Sequence, residues 1–139
     1  MRIRDIMSTD VQTAAPTDTI QSVAQRMATG DFGFVPVVES GRLVGTITDR
    51  DLAIRAVAAG AGADTQVSQV MTHDVVACGD DEDPKAVLDL MADRKIRRLP
   101  ILKDGQLCGV VSLGDLSTKV KEKYAGETLE DISRSPASA

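Results

Sequence analysis

The apolar positions in the first half of the chain change their spacing from segment to segment. Between residues 20 and 28 they recur at i, i+3, i+4, i+7 and i+8, which places them on one face of a helix that Gly30 would end. Residues 34–38 and 43–48 are rich in β-branched side chains and are joined by a four-residue loop with glycine, the pattern of a β-hairpin. A short strand at residues 11–13 precedes the helix. The pattern therefore predicts a strand, a helix and a hairpin.

A second helix is expected to begin at Thr48 and to end at Gly60, which completes a unit of strand, helix, two strands and helix. An apolar lead-in at residues 3–7 comes before the unit. The whole pattern recurs without a gap at an offset of 64 residues, which carries Met7 onto Met71. A shared register through several turns indicates two copies of one supersecondary unit.

The offset divides the chain into four parts. We expect a first repeat at residues 1–60, a linker at 61–64, a second repeat at 65–124, and a C-terminal turn and tail at 125–139. The strand that opens the second repeat is predicted at residues 75–78. Its last helix is predicted to end near Tyr124, with a break at Gly126. A chain of 139 residues is long enough to form one compact domain.

Charge and composition restrict the classes of partner. The formal net charge is −5, and the chain has only three aromatic residues (one Tyr and two Phe). An acidic chain without a basic stripe or stacking aromatics does not favour nucleic acid. No apolar run approaches the roughly 20 residues of a membrane span, and no apolar segment resembles a secretory signal. We therefore expect a cytoplasmic protein that binds neither nucleic acid nor membranes.

The cysteines and the acidic run offer no strong metal site. Cys78 and Cys108 are too few and too far apart for a thiolate cluster, and we interpret them as buried apolar residues, with a disulfide as the alternative. Residues 80–83 are all acidic and precede a helix with Asp83 as its cap. They are interpreted as complementing the helix dipole.

Motifs of catalysis are missing from the sequence. The single histidine, His73, has no nucleophile or carboxylate placed beside it by any pattern. The segment 109–114 has two residues between its first glycine and its serine, whereas a nucleophile elbow has one. The sequence contains no P-loop and no dinucleotide-binding glycine pattern. An enzyme is therefore disfavoured.

The second strand of each hairpin ends in the same pattern, a hydroxyl residue followed three residues later by aspartate. The pairs are Thr48 with Asp51, and Ser112 with Asp115. The simpler interpretation is a capping box, which stabilises a helix by about 1 kcal/mol. The other is a ligand site, because a helix start favours anions and a carboxylate can accept hydrogen bonds from a ribose diol. The two interpretations are compatible.

From Ile3 to about Lys119 the chain resembles a tandem pair of CBS domains, also called a Bateman module. The resemblance rests on the doubled Gly-x-x-Thr/Ser-x-x-Asp-Leu endings, on the segments 34–37 and 98–101, and on the lead-ins 5–7 and 69–71. It is most similar to the small stand-alone CBS-pair proteins of bacteria. The resemblance implies an α/β (α+β) fold of two βαββα repeats related by a pseudo-two-fold axis, with their sheets packed together to form one CBS-pair domain, usually as a homodimer.

The resemblance also implies a function and a set of site residues. Adenosine-containing ligands (AMP, ADP, ATP, NAD or S-adenosylmethionine) would bind in clefts between the repeats as regulators, with no cofactor required. Asp51 and Asp115 would bind ribose hydroxyls, and Thr48 and Ser112 would assist at ribose or phosphate. The base would be held by six residues: Val11, Thr13, Val35, Val75, Ala77 and Leu99. Ligand binding would signal by a conformational change to an unknown effector protein. The alternative is an interaction module that dimerises without ligand.

The two copies differ where phosphate recognition would need cations. Residues 97–98 are Arg-Arg where the first copy has Gly-Phe, and residues 49–50 are Asp-Arg where the second copy has Leu-Gly. Arg50, Arg97 and Arg98 are therefore candidates for phosphate contact, with a solvated surface as the alternative for each and a dimer contact as a further one for Arg50. The two clefts are predicted to be unequal.

Overall fold

The structure, a computed structural model, describes residues 1–134 and the side chains of these residues except at 124 and 126–134. The last five residues of the predicted tail lie outside the described residues. The main elements are α1 (Ile20–Gly30), β1 (Phe34–Glu39), β2 (Arg42–Thr48), α2 (Asp49–Asp51), β3 (Cys78–Gly79), α3 (Pro84–Arg94), β4 (Arg98–Lys103), β5 (Gln106–Ser112) and α4 (Leu113–Arg134). Each lead-in contains one 3₁₀ turn, Ile3–Asp5 or Val67–Gln69.

The first helix of each repeat begins at a side-chain cap. Helix α1 follows Thr19, whose hydroxyl accepts a hydrogen bond from Ser22 N at 3.1 Å. Helix α3 begins with Pro84, and the carboxylate of Asp83 accepts a hydrogen bond from Lys85 N at 3.2 Å. Both caps satisfy main-chain donors that lack a partner within the helix, which confirms the predicted capping role of Asp83.

Both helices end next to a residue in the left-handed conformation. Gly30 is the last residue of α1, as predicted, but the positive φ belongs to Asp31 (55°) and in the second repeat to Lys95 (57°). The equivalent positions of the two repeats thus share one backbone shape while carrying opposite charges.

The two hairpins share one five-stranded sheet with the order β1-β2-β5-β4-β3. Each hairpin is antiparallel, and both residues of its turn, 40–41 or 104–105, have positive φ. The pair Arg42–Gln106 joins β2 to β5 beside these turns. The predicted hairpins are confirmed, but they are continuous in one sheet rather than parts of two.

The first strand of each repeat lies further along the chain than predicted. Residues 11–13 are not a strand, and the parallel pairing with β1 is confined, among the described residues, to Ala14 through hydrogen bonds of 2.9 and 3.0 Å. In the second repeat the strand begins at Cys78 instead of residue 75. Residues 11 and 12, and their equivalents 75 and 76, line cavities instead of pairing with a strand, so their apolar pattern predicted the wrong element.

The lead-in of each repeat packs in the core of the other repeat. Val67, Val70 and Met71 are buried in one cluster with first-repeat residues such as Ile47. Ile3 is buried in the second cluster, among residues of the second repeat. Each core therefore depends on a segment from the other half of the chain.

Main-chain hydrogen bonds fix this exchange in the same way in both halves. Ile3 N donates to Glu82 O at 3.0 Å, and its equivalent Val67 N donates to Asp18 O at 2.8 Å. These bonds satisfy main-chain groups that burial removes from water. Because neither core is complete alone, the two repeats form one domain.

A glycine in β2 and another in β5 make room for the lead-ins. Because residues 11–13 and 75–77 are not strands, each lead-in continues to residue 11 or to residue 75. A Cβ at Gly45 would lie 2.8 Å from the carbonyl oxygen of Thr72, and one at Gly109 would lie 2.9 Å from that of Ser8. A main-chain oxygen cannot move aside as the end of a flexible side chain could. The glycines of the doubled motif are therefore required by packing.

The second helix of each repeat departs from the prediction. After α2 the chain continues as a π-helix over Leu52–Val57. Helix α4 runs without a break through Gly126 to Arg134, so the break predicted at Gly126 is wrong. Glycine inside a helix costs only about 1 kcal/mol, and most residues around Gly126 are good helix formers.

Both cysteines are free thiols, so the disulfide alternative is wrong. Cys78 is 8% exposed and belongs to the second core, which confirms its predicted burial, whereas Cys108 is only half-buried. Burial raises the pKa of the Cys78 thiol to about 12, with further contributions from the hydrogen bond to Glu82 and the charge of that carboxylate. Burial, with a contribution from the charge of Asp80, also raises the pKa of Cys108.

We expect the Cys78 thiol to make the fold less stable in alkali. The folded protein holds its proton up to about pH 12, whereas the unfolded thiol loses it near its ordinary pKa of 9.0. The contribution of Cys78 is thus intact below about pH 9 and declines as the pH rises toward 12. Urea unfolding at about pH 8 and about pH 10 should show a larger loss of stability for the wild type than for Cys78→Ala. Equal losses would contradict this expectation.

Candidate functional site

Two cavities open between the repeats. We call them the Thr48 cleft and the Ser112 cleft, after the hydroxyl residue that each contains at the start of a helix. The Thr48 cleft has a volume of about 880 Å³ and the Ser112 cleft about 340 Å³. Both fall within the range of roughly 300–1,000 Å³ that is typical of small-molecule pockets.

Each cleft combines elements of both repeats. In the Thr48 cleft, Thr48 and Arg50 at the start of α2 face Thr72 and Val75 of the second lead-in, and Arg97 of the loop between α3 and β4. This composition follows from the exchanged lead-ins, because each lead-in crosses to the other repeat.

The Ser112 cleft is the counterpart of the Thr48 cleft at the 64-residue offset. Ser112 and Asp115 of α4 face Ser8 and Val11 of the first lead-in, and Phe32 of the loop between α1 and β1. The prediction of two clefts between the repeats is thus met by two cavities related by the repeat.

Short main-chain pairings hold the lead-ins at the clefts. Thr46 and Thr72 exchange hydrogen bonds of 3.0 and 2.8 Å in the Thr48 cleft. Ser8 and Val110 exchange bonds of 2.8 and 3.0 Å in the Ser112 cleft. These pairings fix the distance between the helix start and the lead-in that faces it.

The first capping pattern is complete. Thr48 Oγ1 accepts a hydrogen bond from Asp51 N at 3.1 Å, and Asp51 Oδ2 accepts one from Thr48 N at 3.0 Å. Asp51 also lies 3.7 Å from Arg55 Nε, and its side chain is only 13% exposed. The Asp51 carboxylate is therefore engaged by its own helix, and it does not line the cavity with Thr48.

The second capping pattern is only half formed. Ser112 Oγ accepts a hydrogen bond from Asp115 N at 3.1 Å. The Asp115 carboxylate, in contrast, makes no hydrogen bond or ion pair among the described residues, and it lines the Ser112 cleft. The predicted capping box at Ser112 is thus wrong for one of its two bonds, and Asp115 is free to meet a ligand.

The two aspartates should differ in their effect on stability. Asp51→Ala removes a capping bond and an ion pair from a mostly buried carboxylate, so we expect a loss of about 1 kcal/mol in the free energy of unfolding. Asp115→Ala should stay within about 0.5 kcal/mol of the wild type. Urea denaturation followed by circular dichroism measures both, and equal losses would contradict the structural difference.

The three arginine candidates all line a cleft. Arg50 and Arg97 line the Thr48 cleft, and Arg98 lies between the clefts and lines both. Arg98 Nη1 donates to Arg97 O at 3.2 Å. The structure thus brings Arg50 into the Thr48 cleft with Arg97 and Arg98, which lie 47 and 48 residues further along the sequence.

The candidates for contact with a base are divided. Val11 and Val75 line the clefts, whereas Val35 and Leu99 are at most 1% exposed and belong to the two cores. Thr13 and Ala77 line neither cavity, and the carbonyl oxygen of Thr13 accepts a hydrogen bond from Arg26 at 2.7 Å.

Sequence reasoning missed several residues of the clefts. Phe34, the residue before Val35, lines both cavities. Asp31 lines the Ser112 cleft, and its equivalent Lys95 lines the Thr48 cleft. The 64-residue alignment contained this signal, because it places Asp31 opposite Lys95 as a change of charge.

The fold and the clefts define a module of two α/β repeats with two ligand-sized cavities, each lined by residues of both repeats. The chain belongs to the CBS domain family, whose model matches residues 3–57 and 67–122. Stand-alone pairs of this kind are generally regulatory. Within residues 1–134 no helix is both long and apolar enough to cross a bilayer.

Similar proteins share this paired arrangement. The CBS domain-containing protein YhcV of Bacillus subtilis (strain 168) is 41% identical over 132 residues, which cover 94% of each chain. The CBS domain pair of MJ0100, solved in complex with 5′-methylthioadenosine and S-adenosyl-L-methionine, is 27% identical with a TM-score of 0.75. That match covers 88% of this chain and 98% of the other.

A second similar structure carries metal. Hypoxic Response Protein I, solved with two coordinated zinc ions, is 27% identical with a TM-score of 0.78, over 86% of this chain and 98% of that one. Among the side chains that the structure describes, no three His, Cys, Asp or Glu residues form a group that could hold a metal ion.

Proposed function

We propose that the chain is a regulatory module, not an enzyme, that binds an adenosine-containing ligand between its repeats. AMP, ADP, ATP, NAD and S-adenosylmethionine are the candidate ligands, and none acts as a required cofactor. The observation that carries the proposal is the pair of equivalent clefts, each with a hydroxyl residue at a helix start facing the other repeat's lead-in.

The chemistry of the clefts suits a nucleoside. In the Ser112 cleft the free carboxylate of Asp115 can accept hydrogen bonds from both ribose hydroxyls, with Ser112 beside it. Apolar side chains of the lead-in and of Phe34 offer faces for a flat base. In the Thr48 cleft, Thr48 takes the place of Ser112, and Asp51 would have to leave its cap to reach a ribose.

A ligand in either cleft would touch both repeats, which makes it suited to signalling. A ligand shifts a conformational equilibrium only by binding one arrangement more tightly than another. Contact with both repeats gives such a preference for their relative tilt, and a cytoplasmic effector protein would read that change. The MJ0100 pair, with its two adenosine derivatives, supports a ligand of this chemical class.

A thermal-shift panel of AMP, ADP, ATP, NAD and S-adenosylmethionine tests the proposal. A ligand present at about a hundred times its dissociation constant should stabilise the fold by about 2.7 kcal/mol. GTP provides the control, because it carries the same phosphates on another base. No shift with any adenosine compound would overturn the proposal.

One further observation favours an interaction module as the second candidate. Ile54 is 52% exposed and Val57 is 76% exposed, three residues apart in the π-helix. Large apolar side chains exposed together mark contact surfaces, and we propose that a second copy of the chain covers this surface.

Sedimentation velocity should then show a dimer, and Val57→Glu should convert it to a monomer. Gln21→Glu changes the charge equally at an exposed position and should leave the dimer intact. A monomeric wild type would exclude this dimer.

A further inference from the structure

The two clefts carry opposite charge. Four cations line the Thr48 cleft against two carboxylates, whereas one cation lines the Ser112 cleft against three carboxylates. The Thr48 cations are Arg50, Lys95, Arg97 and Arg98, and the Ser112 carboxylates are Asp10, Asp31 and Asp115. The repeats differ in charge at residues 49–50 and at residues 97–98. Both segments line the Thr48 cleft, because each cleft is built from both repeats.

We propose that this difference in charge makes each cleft bind a different class of ligand. The Thr48 cleft takes an adenosine ligand with a phosphate chain, and the Ser112 cleft takes a nucleoside without phosphate, uncharged or positively charged. The proposal rests on the proposed function and adds which cleft binds which ligand. The specificity-determining residues are Arg50, Lys95 and Arg97.

Electrostatics favours this assignment. A phosphate chain gains charge-assisted hydrogen bonds from arginine and lysine. In the Ser112 cleft the same chain would meet three carboxylates and a single arginine, so like charges would repel it. A cationic or neutral nucleoside has no such penalty there.

The sizes of the clefts agree with their charges. The Thr48 cleft, at about 880 Å³, has more than twice the volume of the Ser112 cleft, at about 340 Å³. A nucleoside with several phosphates needs the larger space. Volume and charge are independent properties of the clefts, and both select the Thr48 cleft for the longer ligand.

The carboxylates of Asp49 and Asp74 reduce the positive charge of the Thr48 cleft, but its four cations still outnumber them. Asp49 Oδ1 accepts a hydrogen bond from Arg50 N at 2.9 Å. Its other oxygen occupies the space above Gly33, where a Cβ would lie 2.6 Å from Asp49 Oδ2. A side chain at position 33 would therefore collide with the carboxylate of Asp49.

Because the two clefts are equivalent, residues at corresponding positions can be exchanged between them by mutation. Arg50→Gly with Lys95→Asp gives the Thr48 cleft the residues of its counterpart. Asp31→Lys with Gly114→Arg gives the Ser112 cleft those of the Thr48 cleft. The backbone permits the second exchange, because Lys95 and Asp31 share the same positive φ and a Cβ at Gly114 meets nothing within 4 Å.

Isothermal titration calorimetry with ATP and with adenosine tests the assignment. The wild type should bind one ATP per chain. Arg50→Gly with Lys95→Asp should weaken ATP binding about a hundredfold, or about tenfold for each lost cation, and should weaken adenosine binding far less. Asp31→Lys with Gly114→Arg should add a second ATP site. Lys121→Asp with Lys123→Ala changes the net charge equally outside the clefts and serves as the control.

The outcomes separate this inference from the proposed function. ATP binding that survives Arg50→Gly with Lys95→Asp, or that falls equally in the Lys121 and Lys123 control, overturns the charge assignment alone. Adenosine binding without any ATP binding does the same. If the wild type binds neither compound and no other adenosine ligand, the proposed function falls as well.

Discussion

Truncation of Ile3 to alanine is expected to lower the free energy of unfolding by about 2–5 kcal/mol. Ile3 is 0% exposed and belongs to the same core cluster as Met91 and Leu116 of the second repeat. The lost methyl groups would leave a cavity in a core that the surrounding helices cannot fully close. An N-terminal residue would thus act as a core residue of the opposite half of the chain.

Urea unfolding with Gln25→Ala as the control measures this effect. Gln25 is exposed in α1, so its truncation should stay within about 0.5 kcal/mol of the wild type. A loss of less than about 0.5 kcal/mol for Ile3→Ala would show that the lead-in does not pack in the second core. The arrangement of the Ser112 cleft, which contains Ser8 of the same lead-in, would then also be wrong.

Valine in place of Gly45 should cost about 1–3 kcal/mol or more, because it overpacks a fixed contact. The new Cβ would lie 2.8 Å from the carbonyl oxygen of Thr72. Thr72 would have to leave its pairing with Thr46, and both residues line the Thr48 cleft. We therefore expect Gly45→Val to weaken ligand binding in that cleft together with the fold.

Gly114→Ala is the matched control for the glycine substitution. A Cβ at Gly114 meets nothing within 4 Å, and alanine favours a helix over glycine by up to about 1 kcal/mol. Differential scanning calorimetry should show a lower midpoint for Gly45→Val and an equal or higher one for Gly114→Ala. An unchanged midpoint for Gly45→Val would refute the close approach of the lead-in.

Local patterns predicted the elements well. Ile20, Val23 and Met27 are buried as the helical spacing requires, whereas Ala24 and Ala28 of the same predicted face are exposed. Both hairpins have turns with two residues at positive φ. These features depend on neighbours within a few residues. The predicted strand at residues 11–13 was wrong because residues 11 and 12 line a cavity that both repeats form. A local pattern does not reveal a contact with a distant part of the chain.

The exchange of lead-ins could not be predicted from either copy alone. Ile3 and Val67 occupy equivalent positions, and the sequence is equally consistent with each packing on its own repeat. Only the structure shows that each donates a main-chain hydrogen bond to the other half. The same crossing brings Arg50 into one cleft with Arg97, a grouping that the order along the chain conceals.

The doubled hydroxyl-and-aspartate motif lies at the two clefts, but the sequence did not reveal how each aspartate is bonded. Both hydroxyls accept the capping bond from the aspartate main chain. Asp51 returns a bond to its cap, and Asp115 does not. The identical motif in the sequence therefore contains one aspartate engaged in the fold and one available to a ligand.

The most direct test of a ligand between the repeats is a ¹H–¹⁵N correlation spectrum of labelled protein, recorded with and without saturating AMP. We expect the amides that shift to come from both repeats at once, including Thr48 at the start of α2 together with Val75 and Arg97 across the cleft. Shifts confined to one repeat, or none at all with AMP and the other adenosine compounds, would contradict a site that the two repeats build together.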